Sequence, residues 1–245
     1  MQLNGQEMDK KLLVYDLEHM PYGDALAIQR QVLDRRQQNA IDDTLLLVEH
    51  PAVLTLGTRG NYANIYLPKE TLAEQGVTIF EVERGGDVTY HGPGQIVGYP
   101  ILALQDFPGS IRGYITAIAT AMIDLLRTEF GIVAEQRFDK YSGVWVGENK
   151  IVAIGVAVKR GVTLHGFAFN VNTNLAHFDW INPCGLSKGV TSVERETGQT
   201  ADLDRVKAQV VSHLARQFQR QPVRRPASEL SGPTGSLGHD QEVSL

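Results

Sequence analysis

Four strand-like runs follow one another in the second half of the chain, and this pattern restricts the fold more than any other feature. The runs cover residues 132–136, 143–147, 150–159 and 162–171. Gly161 between the last two indicates a tight hairpin connection. The clear helical stripes lie elsewhere, at residues 24–38, 110–130 and 202–219. Because strands and helices do not alternate regularly, the pattern predicts an α+β fold rather than a doubly wound sheet.

The chain has 245 residues, which is enough to bury one sizeable core. We predict a single domain over residues 1–220. Residues 221–245 are rich in Pro, Gly and Ser and poor in large apolar side chains. Such a composition does not offset the entropy of ordering, so we predict a flexible C-terminal tail. Ser110 and Gly131 are the predicted N-cap and C′ residues of the longest helix.

The bulk composition narrows the class of protein. A formal net charge of −5 argues against a general nucleic-acid binder. The sequence contains no apolar run long enough to span a membrane, and its N-terminal residues do not resemble a signal or transit peptide. A single cysteine suits a reducing compartment. We therefore expect a cytoplasmic protein without membrane association.

The single cysteine, Cys184, lies in the sequence Asn-Pro-Cys-Gly-Leu. A lone thiol cannot form an internal disulfide, and one cysteine supplies too few ligands for a cysteine metal site. It is either a buried, inert sulfur or a nucleophile. Pro183 restricts the backbone before it and Gly185 permits a sharp turn after it. Such a turn favours a thiol that is accessible at its apex over one that is packed in the core.

A glycine-rich segment, residues 84–95, carries four glycines within eleven residues and is not expected to be an ordinary strand. It indicates either a tight structural turn or a close approach of the main chain to a ligand. The sequence contains no GxxxxGK[ST] phosphate loop and no GxSxG nucleophile elbow. No His, Cys, Asp or Glu cluster has metal-ligand spacing, so we expect no metal ion.

Lys150 begins an apolar strand. It is either a solvated strand end or an ammonium group beside the thiol, where it would stabilise the thiolate. His91 and His165 are alternative bases for Cys184, although each could equally be a histidine satisfied within the core. Sequence spacing alone leaves these alternatives open.

Three segments carry a resemblance to a known family. They are RGGDVTYHGPGQIVGYPIL, GVWVGENKIVAIGV and HGFAFNVNTNLAHFDWINPCG, in this order. Over residues 11–200 the chain resembles the lipoyl(octanoyl) transferases. The resemblance implies the catalytic fold of biotin and lipoate-protein ligases, an α+β domain whose central, mostly antiparallel sheet is flanked by helices.

The resemblance also implies roles for particular residues. Cys184 is the implied acyl-thioester nucleophile, and Lys150 the group that favours its thiolate and acts as acid and base. The implied substrate-binding residues are Arg84, Gly85, Gly86, Asp87, Val88, Thr89, Tyr90, His91, Ala153, Ile154, Gly155, Gly166, Phe167 and Ala168. Main-chain N–H groups of the glycine segments are candidates for stabilising the oxyanion.

The implied reaction moves an octanoyl group from octanoyl-acyl carrier protein to a lysine of a lipoyl domain. The acceptors are the lipoyl domains of 2-oxoacid dehydrogenase complexes and the glycine cleavage H protein. No cofactor is expected, and a monomer is favoured. An acidic carrier would be attracted by local positive charge, for which the candidates are Arg59, Arg84, Arg137, Lys140, Lys159 and Arg160.

Two alternatives stay open. The first is an ATP-dependent lipoate- or octanoate-protein ligase of the same fold, which would activate a free acid and need no cysteine. The second is a non-catalytic module that binds acyl groups or lipoyl domains.

Overall fold

The computed structural model describes residues 10–138, 142–182 and 189–230. Cys184 and Lys140 therefore lie outside the described residues, as does the end of the predicted tail. Within the described ranges, no helix combines the length and apolar character that crossing a bilayer requires.

Twelve strands are assigned in the described part of the chain. They are Lys11–His19 (β1), Asp43–Glu49 (β2), Val53–Leu56 (β3), Thr78–Glu81 (β4), Val88–His91 (β5), Gln95–Ile101 (β6), Glu135–Arg137 (β7), Gly143–Val146 (β8), Asn149–Lys159 (β9), Val162–Asn170 (β10), Gly189–Val190 (β11) and Gln221–Arg225 (β12). The α-helices are Tyr22–Gln37 (α1), Lys69–Glu74 (α2), Ile111–Phe130 (α3), Val193–Thr197 (α4) and Leu203–Phe218 (α5).

The main sheet has the order β12-β1-β2-β6-β10-β9-β8-β7, with β11 paired to β9. The pairs β12-β1, β1-β2 and β11-β9 are parallel, whereas the pairs from β2 through β7 are antiparallel. Helices α3 and α5 pack on one face of this sheet and α1 packs on the other. The predicted α+β class with a mostly antiparallel central sheet and flanking helices is confirmed.

The hairpin between β9 and β10 forms as predicted. Arg160 and Gly161 connect the strands, with φ of 48° and 78°. Positive φ at both central residues is the geometry of a two-residue hairpin turn that matches strand twist. The turn fixes the register of β9 and β10, and this register builds the floor of the site described below.

The glycine-rich segment differs from the prediction. Residues 88–91 and 95–101 are strands, separated by Gly92, Pro93 and Gly94. Strand β5 belongs to a small second sheet of order β4-β3-β5, whereas β6 lies inside the main sheet. The expectation that this segment is not strand-forming was wrong, because its glycines lie before and between two strands that belong to different sheets.

The predicted tail is also corrected in part. Residues Gln221–Arg225 form β12, which pairs in parallel with β1 from Lys11 to Tyr15. Leu230, only 1% exposed, packs with Tyr15 and Leu17. Composition did not reveal this order because strand β1 supplies the hydrogen-bonding partner from the other end of the chain.

Both ends of the long helix α3 lie at the predicted residues. Gly131 adopts the left-handed conformation and donates its N–H to Arg127 O and Leu126 O, as a C′ glycine does. Ser110 precedes the helix with φ 59° and its side chain makes no capping bond. Ser110 therefore occupies the predicted N-cap position, where its O accepts from the Tyr114 N–H at 3.1 Å, but its side chain does not cap the helix.

Candidate active site

A cavity of about 410 Å³ opens between the main sheet and the small sheet. Its floor comes from β9 and β10, its walls come from β5 with the segment before it and from the buried Trp145 on β8, and its rim comes from the exposed start of α3. The two sheets are joined by the chain that runs from β5 into β6, so the glycine-rich segment lies directly against this space.

Small residues form the floor. Ala153 is in register with Ala168, and Gly155 with Gly166, across the β9-β10 pair. All four line the cavity. Because residues two apart in a strand share one face, this register gives a shallow trough without bulky side chains. Ile154 and Phe167 also border the cavity, although both belong to the core cluster beneath α3 and α5.

The glycines permit main-chain segments to approach one another. A Cβ on Gly155 would lie 2.9 Å from Gly85 O and 3.2 Å from Arg84 Cδ. The Gly85 N–H donates to Val156 O at 3.0 Å, and the Gly94 N–H donates to Glu49 Oε2 at 2.8 Å. These two amides are therefore engaged within the fold and are not available to an oxyanion.

Arg84 is buried at 8% exposure beside this contact. Its Nη2 donates to Thr55 O at 2.7 Å and to Thr55 Oγ1 at 2.9 Å, and its Nη1 donates to Gly85 O at 3.2 Å. A buried guanidinium that is held by several acceptors keeps its charge in place. Arg84 is thus a fixed cation in the cavity wall, and it is not the exposed docking charge considered from the sequence.

A directed chain of hydrogen bonds runs from the wall to the floor. Gln95 Nε2 donates to Tyr90 O at 3.2 Å and to Asn170 Oδ1 at 2.9 Å. Asn170 Nδ2 donates to Thr191 O at 3.0 Å. Main-chain carbonyls can only accept, so they fix the orientation of both side-chain amides. Gln95 Oε1 therefore accepts from His91 Nδ1, at 2.8 Å, and His91 carries its proton on Nδ1.

His91 is a buried, neutral imidazole. Burial and, to a smaller extent, the neighbouring His50 lower the pKa of His91 to about 3. Burial also lowers the pKa of His165, with Glu83 acting in the opposite direction. Both histidines therefore stay uncharged near neutral pH. Low basicity makes each a poor proton acceptor, which favours the core interpretation of the two alternatives.

Lys150 also lines the cavity. Its Nζ lies 5.0 Å from the centre of the Trp145 ring, within the range of a cation–π contact. The Thr191 N–H donates to Lys150 O at 3.0 Å, and Val190 pairs with Lys150 in the β11-β9 ladder. The chain passes from Asn182 to Gly189 through the segment that contains Cys184, and Gly189 itself lines the cavity.

The predicted substrate-binding residues lie around this cavity, with one exception. Tyr90 is not in the lining. It is 1% exposed, packs with Leu54 and Leu56, and donates its hydroxyl to His177 Nδ1 at 2.7 Å or accepts from it. Because successive residues of a strand point to opposite faces, Tyr90 faces the core of the small sheet while Thr89 and His91 face the cavity.

Sequence reasoning missed several lining residues. They are Tyr22, Gln95, Tyr99, Ile111, Arg112, Ile115, Trp145 and Asn170. Ile111 and Ile115 belong to the apolar stripe of α3, which indicated only core packing. Their four-residue spacing is the same for a core contact and for a cavity rim, so no signal in the sequence distinguished the two.

Fewer of the basic residues predicted to attract an acidic carrier are available than the sequence suggested. Arg137 donates to Glu135 and Glu148, and Lys159 donates to Glu83 at 2.6 Å. Arg59 is exposed and lines the cavity. Arg112 is exposed at the same opening, with its guanidinium carbon 5.1 Å from the Phe138 ring centre. Positive charge at the opening is therefore carried by residues that differ in part from those predicted.

Comparison with known proteins identifies the family. The lipoyl protein ligase A/B catalytic-domain model matches residues 21–215. An octanoyltransferase of Desulforamulus reducens is 53% identical over 86% of this chain and 93% of its own length. One from Caldicellulosiruptor saccharolyticus is 51% identical, with coverages of 85% and 89%. A bi-partite lipoate protein ligase from Thermoplasma acidophilum matches with a TM-score of 0.69 at 16% identity, covering 90% and 89% of the two chains.

The fold is thus that of the lipoate-protein ligases. The chain belongs to the lipoyl protein ligase A/B catalytic-domain family and, within it, to the octanoyltransferases. It is an acyltransferase, as the resemblance of its three motifs implied.

Proposed function

We propose that the chain transfers an octanoyl group from octanoyl-acyl carrier protein to a lysine of a lipoyl domain through a thioester on Cys184. The observation that carries the proposal is the position of Lys150 in the cavity lining, paired with strand β11. That strand begins five residues after Cys184. A lysine ammonium beside a thiol favours the thiolate, which is the reactive form.

The proton balance of the reaction then follows. The Cys184 thiolate attacks the thioester carbonyl, the carrier thiolate leaves, and the Lys150 ammonium donates a proton to it. In the second half-reaction a neutral substrate amine attacks the acyl-enzyme and the Cys184 thiolate leaves. Neutral Lys150 takes the excess proton from the nitrogen of the new amide. Both groups return to their starting state, and one difficult step becomes two easier ones.

The cavity suits a medium-length acyl chain. Its floor is formed by alanine and glycine, and apolar side chains such as Val97 and Ile115 border it. Burial of the methylenes of an octanoyl chain contributes about 5 kcal/mol at ~0.8 kcal/mol each. The acceptors we propose are the lipoyl domains of 2-oxoacid dehydrogenase complexes and the glycine cleavage H protein. We also propose that the enzyme works as a monomer in the cytoplasm.

Intact-mass spectrometry tests the proposal directly. After incubation with octanoyl-acyl carrier protein, we expect the chain to gain one octanoyl group, which a lipoyl domain then removes. The Cys184→Ala chain must show no gain. An acylated Cys184→Ala chain would remove this cysteine from the mechanism.

The ATP-dependent ligase remains the alternative function, because ligases share the fold. The same assay separates the two functions when free octanoate and ATP replace the carrier-bound donor. Transfer to the lipoyl domain only under those conditions would overturn the proposal. A chain that binds octanoyl carrier protein without acyl transfer under either condition would be a non-catalytic module.

Asn170 is expected to position Lys150 through strand β11. In Asn170→Ala, Thr191 O loses its donor and β11 loses a buried attachment. We expect kcat to fall about tenfold, because a small misplacement of a catalytic group is costly, while KM for the donor changes less. Steady-state kinetics with octanoyl carrier protein measures both constants.

Asn172→Ala provides the matched control. Asn172 is also an asparagine that links the end of β10 to a later segment, since its Nδ2 donates to Ala201 O at 2.8 Å. It does not contact β11 in this way, so kcat should stay near the wild-type value. Equal losses of kcat in the two variants would contradict a positioning role for Asn170.

A further inference from the structure

The chain that leads to Cys184 lies against the small sheet. After β10 it forms a short 3₁₀ helix, Leu175–Trp180, whose apolar side chains pack with β3 and β5. The Asn182 N–H then donates to Asn64 O at 2.8 Å, and Asn182 is two residues before Cys184. Lys150, in contrast, belongs to β9 of the main sheet. The placement of the thiol relative to this lysine therefore depends on how the approaching chain is held.

Tyr90 of β5 is the centre of the contact between the 3₁₀ helix and the small sheet. Three rings of the helix surround it, with centroids 5.1, 5.4 and 5.9 Å away, and they belong to His177, Phe178 and Trp180. The His177 ring also stacks on the Trp180 ring at 4.2 Å. Phe178 lines the cavity. The helix is thus packed around a residue whose strand neighbours form the cavity wall.

The hydrogen bonds at His177 have a fixed direction. The Ala176 N–H can only donate, and it donates to Asn174 Oδ1 at 3.2 Å. Asn174 Nδ2 is therefore the atom that faces His177 Nε2, at 3.2 Å, and it donates to this nitrogen. The ring proton is then on Nδ1, which donates to Tyr90 Oη at 2.7 Å. Burial lowers the pKa of His177, which favours this neutral form.

The Tyr90 hydroxyl also lies against the turn that joins the two sheets. A Cβ on Gly92 would lie 1.8 Å from Tyr90 Oη, so a glycine is required at this position. In the same turn, Gly94 O accepts from the Asn172 N–H at 2.9 Å, where the chain leaves β10. The hydroxyl is therefore enclosed by the fold, and a side chain that bonds to it is held in place as well.

We propose that His177 is a positioning residue for the nucleophile, because its bond to Tyr90 holds the segment that ends at Asn182 and so sets where the Cys184 thiol lies relative to Lys150. The proposal rests on the function proposed above and adds a residue that the motif resemblance did not assign. His177 is not among the cavity-lining residues, so it acts through the chain and not on the substrate. The separation matters because the attraction between ammonium and thiolate falls with distance.

The pH dependence of Cys184 alkylation by iodoacetamide tests the proposal without any acyl donor. Tyr90→Phe removes the acceptor of the His177 bond and keeps the ring. We expect the midpoint of the alkylation rate to rise by about half a pH unit, because a more distant ammonium favours the thiolate less. Loss of local packing alone would change the plateau rate and the melting temperature but not this midpoint. In octanoyl transfer, kcat should fall about tenfold while KM for the donor stays nearly constant.

Variants of His177 assign the effect to the hydrogen bond. His177→Leu should shift the midpoint as Tyr90→Phe does, whereas His177→Asn should keep most of the wild-type value. The asparagine Nδ2 occupies the place of the imidazole Nδ1 and can donate to Tyr90. When Tyr90→Phe is combined with Lys150→Ala, it should cause no further shift, since the cation against which the thiol is positioned is then absent.

Tyr62→Phe is the matched control. The Tyr62 hydroxyl donates to Glu81 Oε1 at 2.9 Å and its ring packs on the same apolar cluster as Tyr90, but its bond does not involve the 3₁₀ helix. Its alkylation midpoint should equal that of the wild type. An unchanged midpoint in Tyr90→Phe, or an equal shift in Tyr62→Phe or in the Lys150→Ala background, overturns the proposal. Absence of octanoyl transfer by the wild-type chain would instead overturn the proposed function, whatever the alkylation result.

Discussion

Lys150→Ala is expected to lower the rate of octanoyl transfer by about a thousandfold. The substitution removes two contributions of Lys150 to the proposed mechanism. One is the cation that favours the thiolate, and the other is the group that transfers the proton. General acid–base catalysis alone contributes about a hundred- to ten-thousandfold. Single-turnover formation of the acyl-enzyme, followed by mass spectrometry, measures the first half-reaction separately from the second.

The pH dependence of Cys184 alkylation separates the two contributions. Without the ammonium, the midpoint of the alkylation rate should move to higher pH, because the thiolate is then less favoured. Raising the pH should restore alkylation in Lys150→Ala but should not restore transfer in full, since no group moves the proton. An unchanged midpoint would show that Lys150 does not act on the thiol.

Lys69→Ala is the matched control for this variant. The Lys69 ammonium also stands over an aromatic ring, with Nζ 4.5 Å from the Tyr62 ring centre, and Lys69 does not line the cavity. Loss of a cation–π contact is thus common to both variants, whereas the position at the cavity is not. A comparable loss of activity in Lys69→Ala would indicate that the Lys150 effect arises from local packing.

The sequence predicted the strands that form the site better than it predicted how these strands are arranged in the two sheets. The hairpin at Gly161 followed from local turn preference, and it sets Ala153 opposite Ala168. The crossing of the glycine-rich segment from one sheet to the other did not follow from local preference. It depends on pairing between β3 and β5, which are more than thirty residues apart along the chain.

The site residues came mainly from family resemblance, and the structure shows the limit of that route. A motif marks a continuous run of residues, but a strand turns alternate side chains away from the site, as at Tyr90. Conversely, Asn170 gains its role from the Thr191 carbonyl and Gln95 gains its role from the Asn170 amide oxygen, which lie 21 and 75 residues away along the chain. Such long-range acceptors are assigned only by tertiary structure.

The second large effect concerns stability and the residue that directly precedes the predicted tail. Arg220 is 5% exposed, and its guanidinium donates to Asp43 Oδ2 at 3.0 Å and to Asp106 Oδ2 at 2.5 Å. Removing one partner leaves buried carboxylates less compensated, which typically costs about 3 kcal/mol or more. We expect Arg220→Ala to lower the free energy of unfolding by about 3 kcal/mol.

The melting temperature of Arg220→Ala should fall by about 8 °C, since each kcal/mol corresponds to roughly 2–4 °C in a domain of this size. Arg225→Ala is the control, because the Arg225–Glu229 pair lies at the surface a few residues further along the C-terminal segment. Exposed ion pairs contribute little, so that variant should melt close to the wild type. If the two variants melted alike, the link between the terminal strand and the core would not depend on the buried Arg220 pairs, and pairing of β12 with β1 would have to hold the C-terminal segment.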